Sequence, residues 1–237
     1  MKAMIAVLSL LMLGGCATNG SGSWSSPGPC AKLTDDQELS LSLADDLVVD
    51  GKLHAGLANL QKLPDSLTQV RFRKARVYRL LGRSEAEPLY RGLLGTCLAA
   101  EGEHGLGQLA SAKGDNEQAL LHLQRAAHYS PADEKIRNDL GVVYLNLLRI
   151  NEARFEFITA MELKLTDQLA AVNLVTLLIY QDNWRQASEV VSRAGLSSEQ
   201  FASAQARAEQ LKTKVKAKPA ARDQVATVSD PQQPSTK

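Results

Sequence analysis

From Thr34 onward, apolar residues recur at helical spacing, and the breaks between them predict a succession of short helices. Thr34-Asp35-Asp36-Gln37 has the pattern of a capping box. It opens a run that places Leu39, Leu43 and Leu47 on one face, and Gly51 ends it. A partner helix over about 53–63 stops at Pro64. The next pair is expected over about 66–81 and 84–94, with Ser84 as a cap, Glu87 three residues on, and Pro88 in the first turn, where its missing N–H costs little. Three more regular pairs follow: 97–113 with 116–129, split at Gly114-Asp115; 133–148 with 151–164; and 167–181 with 184–193. A last helix, opened by Ser197-Ser198-Glu199-Gln200, runs to about 216 with Phe201, Ala204, Ala208 and Leu211 on one stripe. Residues 217–237 read as a disordered tail.

Over this pattern lies a fixed period. Ala119, Ala153 and Ala187 are 34 residues apart, and so are Ala126, Ala160 and Ala194. Leu106-Gly107 with Leu123, and Leu140-Gly141 with Tyr144 and Phe157, occupy corresponding places, with Pro131 closing one unit. The third unit has Leu174-Val175 and Val191 there, with Tyr180 displaced from the aromatic slot. An earlier unit keeps Ala75, Tyr78, Ala86 and Tyr90. Small residues let the two helices of a hairpin approach closely, while larger ones fill the space between hairpins. These residues resemble the tetratricopeptide repeat (TPR). The resemblance implies an all-α, right-handed superhelical solenoid of about five helical hairpins over 34–216, closed by a C-terminal capping helix.

In that family the first helix of each hairpin lines a concave groove. Carried over by position, the partner-binding groove is expected at His104, Gln108 and Ala112 in one unit, at Asn138, Val142, Leu145 and Asn146 in the next, and at Val172, Asn173, Thr176, Ile179 and Tyr180 in the third. Asparagine amides there suit a ligand's backbone, and Val142, Leu145 and Ile179 would form an apolar floor. The lysine-rich carboxylate clamp of chaperone-binding members is not present.

The amino terminus carries a different signal. Lys2 precedes an apolar run from Ala3 to Leu13, interrupted only at Ser9 and about half as long as the roughly 20 residues a transmembrane helix needs. Residues 1–15 therefore read as a signal peptide. Leu13-Gly14-Gly15-Cys16 resembles the bacterial lipoprotein box, which implies acylation of Cys16 and a permanent anchor. Ala17 after the cysteine favours the outer membrane by that family's sorting rule, so the chain is expected to be lipid-anchored there and periplasm-facing. The Gly/Ser/Pro-rich stretch 16–33 reads as a flexible tether, with Trp24 unexplained within it. Two cysteines then remain, Cys30 and Cys97. In an oxidising compartment they either pair as a disulfide or leave Cys97 as a small core residue.

Composition removes several function classes. A formal net charge of +1 over 237 residues argues against nucleic acid as a partner. Aromatics at 5% leave Leu, Ala and Val to build the core. His54, His104, His122 and His128 lack metal-ligand spacing, so no metal or cofactor is expected. Gly105-Leu-Gly107-Gln-Leu-Ala110 imitates a dinucleotide fingerprint but follows no strand. The glycines at 102, 105 and 107 mark either a weak helix or a close backbone approach. No catalytic motif appears, so the chain is not expected to be an enzyme or to bind a small-molecule substrate. The basic run Lys212, Lys214, Lys216, Lys218 and Arg222 reads either as a solubilising helix end or as a contact to peptidoglycan or anionic lipid, with the helix end favoured. A lipid-anchored solenoid of this plan resembles the assembly lipoproteins of the Tad/Flp pilus (TadD-like, pilotin-type). That resemblance implies protein partners such as the outer-membrane secretin or other secretion-system components. Alternatives are an adaptor for peptidoglycan hydrolases, a component of the β-barrel assembly machinery, and a scaffold that stacks end to end with itself.

Overall fold

A computed structural model describes residues 28–226 except Asp167, with side chains described through Lys214. The expected leader over 1–15, Cys16, Trp24 and residues 227–237 lie outside the described residues. Among the described residues there are eleven helices and no strand: α1 Asp35–Val49, α2 Leu53–Leu60, α3 Thr68–Leu80, α4 Ala86–Arg91, α5 Ala99–Ala112, α6 Asn116–Tyr129, α7 Glu134–Asn146, α8 Ile150–Leu163, α9 Gln168–Tyr180, α10 Trp184–Ala194 and α11 Ser198–Ala226. Consecutive helices pair as five antiparallel hairpins, and α11 closes the stack. None of these helices is long and apolar enough to cross a membrane.

Local chemistry sets the helix starts. Thr34 and Gln37 exchange reciprocal capping bonds at α1, and Ser197 and Gln200 do so at α11. The carboxylates of Asp115 and Asp133 and the amide oxygen of Asn183 accept from the first-turn N–H groups of α6, α7 and α10. Ser84 does not act as the expected cap. Helix α4 begins at Ala86 behind a residue already in helical conformation and ends at Arg91, well short of 94, before a string of turns.

The turn inside each regular hairpin needs one left-handed residue, and it falls at positions 34 apart. Gly114 has φ 80°, Leu148 has φ 61° and Asp182 has φ 58°. Only the first is a glycine, so the later two hold a conformation that costs L-residues about 1–2 kcal/mol.

The small-residue slots are close contacts. A Cβ on Gly141 would lie 2.6 Å from the Phe157 ring, and one on Gly105 would lie 2.1 Å from the ring of Tyr90. The glycine-rich stretch of α5 is thus where the Tyr90 ring beds against backbone, with both Tyr90 and Leu106 buried.

Three apolar clusters run along the stack, one over α1–α3, one over α3–α5, and the largest from α6 to α11. The end of the expected tether is fastened to the body. Cys30 is bonded to Cys97 across 67 residues with Cα atoms 5.1 Å apart, Gln69 donates to the Ala31 carbonyl, and Leu33 packs on the first cluster. At the other end α11 continues past 216 to Ala226, so part of the expected tail is helical.

Candidate functional site

The first helices of the regular hairpins, α5, α7 and α9, carry a polar ladder across the stack. His104 Nε2 on α5 lies 2.7 Å from Asp139 Oδ2 on α7, and Gln108 Nε2 donates to the same oxygen at 2.7 Å. Asn138 donates to Asp139 Oδ1 at 3.3 Å, and its own amide oxygen accepts from Asn173 of α9 at 2.8 Å. Burial acts to raise the Asp139 carboxyl, but the His104 bond and charge, with the Gln108 and Asn138 bonds, outweigh it and hold it below the usual aspartate value.

This ladder reassigns several residues expected to meet a ligand. Asn138 and Asn173 are buried and satisfy each other, and His104 is committed to Asp139. Leu145, Thr176 and Ile179, expected on the groove surface, are core residues, each about 1% exposed or less. Val172 and Tyr180 are half-buried against the same cluster, and Asn146 bonds back to Asn116. The cause is α11. It runs parallel to α9, with Gln200 on Gln168 at one end and Lys212 on Asp182 at the other, and it buries Ala204, Ala208 and Leu211. Helix α9 is apolar nearly all the way round (Leu169-Ala-Ala-Val-Asn-Leu-Val-Thr-Leu-Leu-Ile-Tyr180), which marks a helix packed on most sides, with Leu169 at its start left exposed.

What stays open on the concave side is a cleft of about 280 Å³ between α3, α5 and α7, lined among others by Arg79, Gln108, Ser111, Ala112, Asp139 and Val142. A second cleft, about 250 Å³, shares Gln108 and Asp139, adds Asn138 and opens toward Glu134 and Lys135. A third, about 410 Å³, lies between Asn146 and α11, with Arg207, Gln210 and Lys214 on its wall. Arg79 bonds the Tyr90 hydroxyl at 3.4 Å, and among the described residues neither it, Arg207 nor Lys214 has a carboxylate partner. Asp139, Arg79 and Arg207 are not among the expected groove residues. Asp139 and Asn173 are 34 residues apart, which is the signal that places Asp139 on the concave face.

Between the helices of each hairpin, a second periodic pair changes character. Glu103 of α5 meets His122 of α6 at 2.6 Å. One repeat later Arg137 of α7 meets Glu156 of α8 at 3.1 Å, the same 19 residues apart with the acid on the other helix. Burial raises the Glu156 carboxyl above its usual value, against the opposing pull of Arg137. In the third hairpin the corresponding residues are Ala171 and Val190. No group of His, Cys, Asp and Glu suited to hold a metal ion occurs among the described residues.

No family model matches the chain. A curated TPR repeat-containing protein of Pseudomonas aeruginosa is 40% identical over 210 residues, covering 88% of this chain and 85% of that protein. Among solved structures, a thermophilic TPR protein of Thermus thermophilus superposes with a TM-score of 0.56 at 20% identity, covering 74% of this chain and 98% of that one. MamA from Desulfovibrio magneticus RS-1 superposes at 0.52 with 15% identity, covering 69% of this chain and 95% of that one. The 34-residue period, the stacked hairpins and this degree of identity agree, and the chain belongs to the tetratricopeptide-repeat family.

Proposed function

We propose that this chain is a non-enzymatic, lipid-anchored scaffold that holds protein partners at the periplasmic face of the outer membrane. Within that role it serves assembly of a Tad/Flp (type IVb) pilus, as a pilotin that helps localise or multimerise the secretin. The docking side is concave. The observation that carries this choice is the open cleft beside Arg79, Gln108 and Val142, with a separate cleft beside Arg207 and Lys214. These cations lack carboxylate partners among the described residues, so an acidic segment of a partner suits the surface. The Leu13-Gly14-Gly15-Cys16 box supports the anchor, which would raise the effective concentration of a modestly bound partner at the membrane.

Two variants test the reading. Cys16→Ser leaves the fold intact, releases the protein from the membrane and lowers secretin multimers; normal multimers from the released form would refute the pilotin role. Arg79→Glu with Val142→Asp weakens partner capture without unfolding, and unchanged co-purification would move docking off the concave side. Leu145 is unsuitable for such a test because it lies in the core. Co-purification of peptidoglycan hydrolases, or loss of many outer-membrane proteins on depletion, would replace the secretin by another partner class.

A further inference from the structure

The solenoid has an unfilled hole on its convex side and an uncovered knob at its first helix. In the second regular hairpin, the space between α6 and α8 is filled by Tyr144, whose hydroxyl accepts from Gln124 at 3.1 Å, and by the Arg137–Glu156 pair. One repeat later the residues at those positions are Leu178, Ala171 and Val190. Each is smaller, and a groove of about 540 Å³ opens between α8 and α10. Its lining is mostly apolar, with Ile158, Met161, Leu174 and Val190 among the walls, and its volume falls in the range of built ligand pockets, roughly 300–1,000 Å³. Leu165 at one end is 89% exposed.

The charges around this groove do not cancel. Lys164 is engaged by Glu134 and Glu189 by Arg185. Among the described residues Arg154 bonds only the amide oxygens of Gln181 and Gln186, and Arg193 and Glu162 have no ionic partner. Two cations therefore face one acid.

Helix α1 has the opposite character. Among the described residues no helix precedes it in the stack, yet its outer face is not polar as an end helix requires. Leu39 is 71% exposed and Leu43 50%, on the same helical stripe as Asp36 and Asp46. The helix contains no basic residue in its last turn and three acids in its first. Asp36 and Asp46 have no ionic partner among the described residues. Two copies of α1 would bring their acids together, which disfavours a symmetric pairing through this face.

We propose that the occupant of the α8–α10 groove is a second copy of this chain, its α1 inserting Leu39 and Leu43 while Asp36 and Asp46 meet Arg154 and Arg193. Knob and hole lie on different parts of the molecule, so the contact is heterologous and propagates from copy to copy or closes as a ring. This goes beyond the scaffold reading and does not depend on which partner the concave side holds.

Sedimentation velocity of the full chain tests it. Association grows with protein concentration and weakens about tenfold or more between low and high salt, as an ion-flanked contact does. Leu39→Ser with Leu43→Ser, both surface changes, leaves a monomer with an unchanged melting curve. Asp36→Lys with Asp46→Lys, and separately Arg154→Glu with Arg193→Glu, each give monomers, whereas the chain carrying all four reversals associates again. A parent chain that is monomeric at every concentration overturns the proposal. So does association that survives the loss of both leucines, or a four-fold reversal that fails to restore it.

Discussion

Lys212 Nζ lies 2.6 Å from Asp182 Oδ1 and ties the middle of α11 to the turn that ends α9. Asp182 is itself one of the left-handed turn residues, so the ion pair joins the cap to a fixed point of the last hairpin.

That ion pair is exposed, and the cap is held instead by the stripe beneath it. Lys212→Ala leaves the thermal midpoint nearly unchanged, whereas Ala208→Asp, which places a charge against α9, costs about 3 kcal/mol or more. Chemical denaturation of both variants checks the contrast. The aspartate variant also binds a hydrophobic dye, because the apolar flank of α9 is then exposed.

Leu148 holds φ 61° on the surface, 42% exposed, where the preceding repeat has Gly114. Leu148→Gly removes strain of about 1–2 kcal/mol and adds back unfolded-state entropy of about 0.5–1 kcal/mol. The variant is expected to be more stable by a few tenths to about 1 kcal/mol in urea titrations. A loss of stability would show that the leucine side chain holds the turn.

The third hairpin shows what can replace the buried ion pair of the second. Arg137→Ala alone strands Glu156 in the hairpin interior and costs about 3–5 kcal/mol. Adding Glu156→Val, which copies the Ala171–Val190 pair, recovers most of that loss. A double-mutant cycle reads the recovery as a large favourable coupling between the two changes.

Asp139 sets an acid limit. Its folded carboxyl titrates below the ordinary aspartate value because His104, Gln108 and Asn138 favour the charged form over the penalty of burial. The folded state therefore holds the proton less well than the unfolded chain. The resulting stability is complete above the unfolded value of about 3.9 and is lost as pH falls through the lower folded one. Asp139→Asn is expected to be less stable than the parent near pH 7, on the order of 1–3 kcal/mol. The gap narrows below about pH 4, and paired denaturation curves at several pH values measure it.

The Cys30–Cys97 bond closes 67 residues spanning α1 to α4. Replacing both by alanine is expected to cost about 2–4 kcal/mol by freeing that loop in the unfolded chain. Hydrogen exchange localises the effect to the first two hairpins, while α6–α10 keep their protection.

Much of this fold is written in the spacing of small residues. Ala119, Ala153 and Ala187 mark one helix-contact position in three hairpins, and all three are fully buried. Caps at Asp115 and Asn183 bound helices within a residue or two of expectation. The turn after Gly82 is less legible, because Ser84 has the right chemistry but the residue next to the helix is Glu85, whose backbone is already helical. The groove differs from expectation for another reason. Position in the repeat says which side of its helix a residue faces, and Thr176 and Ile179 of α9 do face that side. It does not say that α11 returns to cover it. The continuous apolar run of α9 holds that information, since such a helix buries most of its surface against neighbours. Asp139 is hidden in the sequence beside Asn138, whose amide matches the ligand-binding type while the acid next to it organises the ladder.

The alternation between Glu103–His122 and Arg137–Glu156 bears on how the chain finds its register as it folds. Repeats of similar shape can pair out of turn, within one chain or between two. If α5 took α8 as its partner, Glu103 would face Glu156 inside a hairpin; if α7 took α6, Arg137 would face His122. Like charges meet in the first wrong pairing, and a base meets an imidazole that cannot neutralise it in the second. Inverting the pair from one repeat to the next thus penalises hairpins that swap partners, at a point in assembly when nearly identical units compete for the same neighbour.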